Sequence, residues 1–165
     1  MPLDHRTLWS TNHVRSQLVA DAISERATFA YFLVIMAFDW LQFTQIATTP
    51  TASMSAWSLF HSWATFAITL LGLVYLFHKN GGSRGRNFLL RYFPLSITVG
   101  WKFLVFSYAS MWLTQVIFSQ YGRVVLGWSS AITLAAINCV MFWRIGFHLQ
   151  AVARAASASP QHNSQ

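Results

Sequence analysis

Two ionisable residues of opposite sign, Asp39 and Lys102, fall inside long apolar stretches of the sequence. A charged side chain near the centre of a bilayer costs about 2.5–3.5 kcal/mol on insertion scales, so it persists only where something offsets the cost. Two chemistries meet that condition. The pair can neutralise itself as a structural ion pair, or it can belong to an ion or proton pathway. Asp39, Gln42 and Gln45 are spaced by three, which puts them on one side of a helix. Thr65 and Thr69 repeat at a spacing of four in a second apolar stretch, and Asn138 lies near the middle of a fourth. Measured from the ends that carry basic residues, Asp39, Lys102 and Asn138 all fall roughly 12–18 Å deep at ~1.5 Å per residue. The expected site is therefore an intramembrane polar layer of Asp39, Gln42, Thr65, Thr69, Lys102 and Asn138. A structural network is the preferred reading. No second intramembrane carboxylate exists to build a proton relay.

Other residue types offer less. His78 and His148 fall near corresponding ends of two apolar stretches, which makes them weak candidates for bridging a b-type haem. No cofactor is expected, and no metal site beyond that weak pair. His61 has no histidine at equal depth, and its expected neighbour is Gln45. The single cysteine, Cys139, excludes an intrachain disulfide and a multi-cysteine metal motif. No serine or cysteine stands in a context that marks a nucleophile, so enzymatic activity has no support. Lys79, Arg84, Arg86 and Arg91 accompany Gly81, Gly82 and Gly85, but the spacing does not match a phosphate loop and no strand precedes it. Those four cations are expected to contact anionic lipid headgroups.

The elements that must carry these residues follow from composition. Of 165 residues, 55% are hydrophobic and only 9% charged, where a soluble domain averages about 25% charged. The expected fold is an all-α integral membrane protein, a four-span helix bundle with spans near residues 27–47, 57–77, 94–118 and 127–147. Pro94 is expected in the first turn of the third span, where its missing N–H costs nothing. Ser96, Gly100, Ser107 and Thr114 would give that span a small-residue face for close helix contact. Residues 1–26 read as a cytoplasmic segment with a short amphipathic helix on the membrane surface, carried by Leu18, Val19, Ala22 and Ile23. Residues 149–165 read as a flexible cytoplasmic tail.

The net charge of +7 is gathered between the apolar stretches rather than on one helix face, which argues for topology and against nucleic acid. Arg6, Arg15, Arg26, Lys79, Arg84, Arg86, Arg91, Arg144 and Arg154 fall on one side of the expected bundle, and Arg123 on the other. By the positive-inside rule both termini are cytoplasmic, in a bacterial inner membrane or an equivalent plasma membrane. The expected function is a non-enzymatic accessory or partner-binding subunit. Its partners are the lipid bilayer and another membrane protein or a second copy. A small transporter or ion-conducting protein using Asp39 and Lys102 is the alternative, and a haem-binding redox subunit a weaker one.

Overall fold

A computed structural model of the chain describes residues 10–19, 29, 31–34, 55–82 and 87–158, and no strand occurs among them. Among the described residues, four helices have both ends defined: α1 (Thr11–Val19), α2 (Ala56–Lys79), α3 (Phe88–Phe118) and α4 (Arg123–Ala158), with a 3-10 turn, Ser119–Tyr121, between the last two. Three of them, α2, α3 and α4, are long and apolar enough to cross a membrane. The expected span at residues 27–47 lies mostly outside the described residues. Within it, residues 29 and 31–34 are helical, and the Phe32 ring meets the Phe93 ring of α3 edge-on at 5.4 Å.

Local chemistry sets the helix ends. Ser55 is extended, and its carbonyl accepts the Ser58 and Leu59 N–H groups to start α2. Gly81 and Gly82 take positive φ values of 104° and 57° just after α2, a conformation that L side chains resist, and the helix cannot continue through them. At the far end of α3, Gly122 at φ 90° reverses the chain into α4.

Two boundaries differ from the sequence expectation. Helix α3 begins at Phe88, so Pro94 sits inside the helix and not in its first turn. The apolar lead-in is helical because it has a core to bury: Phe88 and Tyr92 pack against the buried cluster, and Pro94 is itself buried. Pro94 supplies no N–H to the ladder, and its carbonyl accepts the Thr98 hydroxyl at 2.8 Å. Likewise α4 runs on to Ala158, past residue 149 where a flexible tail was expected, because Leu149 and Val152 are fully buried.

Helix α4 is the centre of the bundle, packed along α2 on one side and α3 on the other. A Cβ at Gly72 of α2 would stand 2.5 Å from the Phe142 ring, and one at Gly127 of α4 would stand 2.5 Å from the Trp57 ring. Gly146 receives the Tyr75 ring in the same way. Each α2 residue thus lies beside the α4 residue about seventy positions later, so the two helices run parallel, with α3 as the return. Of the small-residue face expected on α3, Thr114 is buried and Ser96, Gly100 and Ser107 are half-buried. Nothing lies within 4 Å of a Cβ built on Gly100.

The buried cluster occupies one end of the bundle. Leu76, Leu95, Val99, Ile145, Leu149 and Val152 form it, together with Val14 and Leu18 of α1. Helix α1 packs across α3 and α4 with Val14 fully buried, and Ala22 and Ile23 of the expected amphipathic segment lie outside the described residues. Away from this end the helices turn large apolar side chains outward, Trp63 and Trp112 among them.

Candidate functional site

The expected polar layer is only partly brought into view. Asp39 and Gln42 lie outside the described residues. Thr65 is half-buried with its hydroxyl enclosed and unpartnered among the described residues, Thr69 is exposed, and Asn138 is half-buried. By the glycine register, Asn138 stands at the height of Thr65 and Thr69. Lys102 points elsewhere. Its ammonium is exposed and donates a hydrogen bond of 3.2 Å to the hydroxyl of Thr11, the first residue of α1.

Around Lys102 is a cavity of about 320 Å³. Three elements build it. The start of α1 supplies Ser10, Thr11 and Asn12, the middle of α3 supplies Val99, Lys102 and Phe103, and the second half of α4 supplies Arg144 and His148. The start of α1 is fixed locally: the Ser10 carbonyl accepts the Val14 N–H at 3.2 Å, and the Ser10 hydroxyl accepts the His13 N–H at 3.3 Å. That is an N-cap, and it leaves the first N–H groups of the helix without intrahelical partners at the rim of the cavity. Val14 and Leu18, docked in the core, hold this end in place.

Among the described residues the electrostatics of the cavity have one sign. Lys102 and Arg144 are cationic, and the N-terminus of a helix carries positive partial charge. The chain contains four acidic residues, Asp4, Asp21, Glu25 and Asp39, and none is among the described residues. Arg144 is exposed, with its guanidinium 5.6 Å from the Phe147 ring centroid. His148 is only 7% exposed, and its Nδ1 is enclosed without a hydrogen-bond partner among the described residues. Such an arrangement suits a bound anion.

The other candidates are dispersed. His148 opens on this cavity, whereas His78 is not among its lining residues. His78 is exposed, and its Nδ1–H donates to the Val74 carbonyl at 2.8 Å. Among the described residues no group of three metal-ligating side chains comes together. Of the expected headgroup contacts, Arg84 and Arg86 lie outside the described residues, Lys79 sits 5.5 Å from the Tyr75 ring centroid, and Arg91 donates to Asn80 at 3.2 Å. The sequence reading placed Arg144 among the cations that set the topology and did not single out Ser10 or Thr11. The signal was present: a serine directly before a helical run is an N-cap pattern.

No protein-family model, no curated protein and no solved structure matches this chain.

Proposed function

We propose that this chain is a non-enzymatic accessory subunit of a bacterial inner membrane, crossing it four times and binding another membrane protein, or a second copy, through its outward helix faces. The fourth crossing is residues 27–47. Both termini and the loop after α2 face the cytoplasm, in keeping with the positive-inside rule. One observation carries the binding role. Among the described residues, three membrane-length helices gather their packing at one end, leaving large aromatic side chains such as Trp63, Phe66, Tyr108 and Trp112 turned outward. Rigid aromatic rings of this kind give much contact area for little lost side-chain freedom. Between helices in lipid, packing of such surfaces is a main source of association.

Photo-crosslinking residues placed at Trp63 and Trp112 in native membranes test the reading. A discrete protein adduct, to self or to one partner, is the expected result. Lipid adducts alone at both positions overturn it.

A further inference from the structure

We propose that the cavity at the start of α1 binds the phosphate group of an anionic ligand. This inference stands apart from the partner-binding role above. Four independent features point to it. First, Lys102 and Arg144 place an ammonium and a guanidinium on two different helices facing one space, and a phosphate is the anion that both recognise well, the guanidinium with two parallel hydrogen bonds. Second, the N-capped first turn of α1 borders the same space, so unpaired backbone N–H groups and the positive end of the helix act in concert with the side chains. Third, the Thr11 hydroxyl already accepts a hydrogen bond from Lys102, which leaves its own O–H free to donate to an anion. Fourth, His148 is 7% exposed and lines the cavity with an Nδ1 that has no partner among the described residues. A buried polar atom left without a partner is unfavourable, and an anion that accepts the Nδ1–H of the imidazole would relieve it.

Size and depth narrow the ligand. At about 320 Å³ the cavity is at the small end of ligand pockets, which run roughly 300–1,000 Å³. A phosphate with short ester substituents fits that space. Counted from the far ends of α3 and α4, Lys102 and Arg144 lie about 24 Å and about 32 Å along their helices at ~1.5 Å per residue. A hydrocarbon core of roughly 30 Å therefore ends near the cavity, at the level of lipid phosphates on the basic side. Two sources share this chemistry: the headgroup of an acidic phospholipid and a soluble phosphate.

The test uses the full chain purified in a neutral detergent, with thermal unfolding followed by tryptophan fluorescence at constant ionic strength. The probes are dihexanoyl phosphatidic acid, inorganic phosphate, and dihexanoyl phosphatidylcholine as the zwitterionic reference. Binding predicts a midpoint raised by roughly 3–6 °C at ten times the dissociation constant. Lys102→Gln and Arg144→Gln should each weaken the response about tenfold or more, and Thr11→Val should weaken it while leaving the Ser10 cap intact. Arg123→Gln, at the opposite end, should leave it unchanged. A response to phosphatidic acid alone assigns a lipid headgroup; an equal response to inorganic phosphate assigns a soluble ligand. Two results overturn the proposal. One is no stabilisation by either anionic probe beyond phosphatidylcholine, as would follow if Asp39 of the chain filled the cavity. The other is full stabilisation retained in all three cavity variants, which would place the anion on the general basic surface.

Discussion

Lys102 shows how the setting of one side chain changes its meaning. From sequence it is a charge inside an apolar stretch, in need of Asp39. In the structure its ammonium is exposed, reaches Thr11 and faces a cavity. The two settings predict different energetics. A cation hydrogen-bonded at an exposed site is worth at most about 1 kcal/mol, whereas breaking a buried pair costs on the order of 3–5 kcal/mol. Lys102→Met is therefore expected to lower stability by about 1 kcal/mol or less, measured by denaturant titration in mixed micelles. Its effect should add to that of Asp39→Asn. Strong recovery in the double variant would instead show the two charges in direct contact, because removing both abolishes a penalty that either single change creates.

The contact between α2 and α4 rests on glycines that let aromatic rings lie against helix backbone. At Gly72 an added Cβ would stand 2.5 Å from Phe142, a ring 7% exposed with little room to withdraw. Overpacking of this kind costs about 1–3 kcal/mol. Gly72→Ala should lower the thermal midpoint, while Gly100→Ala, with open space around it, should leave it level or raise it through better helix propensity. Comparing the two melting curves checks the register directly. Helix α1 offers a second test at this scale. Leu18 is buried in the core cluster, and Leu18→Ala removes contacts worth about 2–5 kcal/mol at a packed site. A helix of nine residues is too short to persist alone. Amide exchange across residues 11–19 should therefore rise in that variant while α2 keeps its protection.

For the whole molecule, polarity is built along the bundle axis. One end holds the buried cluster, α1, the cavity and most of the described cations, and the other holds the turn with Arg123. Helices of 31 and 36 residues would extend about 46 and 54 Å, well beyond a hydrocarbon core of roughly 30 Å. The basic end is thus expected to stand in the headgroup region and the water beyond it. Single cysteines at Arg15, Lys79 and Arg154, in a background lacking Cys139, should react with a membrane-impermeant thiol reagent only from the cytoplasmic side. One at Arg123 should react only from the other side. Labelling of the Lys79 and Arg123 positions from the same face would show that α3 does not cross the membrane and would remove the depth argument for the cavity.

The sequence by itself determined that the chain is helical and lipid-compatible, because its charge is low and its apolar runs are long and continuous, where barrel strands would alternate apolar with polar residues. It also located α2, α3 and α4 to within a few residues over most of their length. It misplaced the start of α3 and the end of α4, since whether Phe88 or Val152 joins a helix depends on a core that only distant segments can supply. The same limit governs the site. Depth along a helix can be counted from sequence, but the direction a side chain takes around the axis, and which neighbour it meets, cannot. Only the tertiary structure turned Lys102 toward Thr11, Arg144 and His148, because the docking of Val14 and Leu18 brings the start of α1 to a position ninety residues away in sequence.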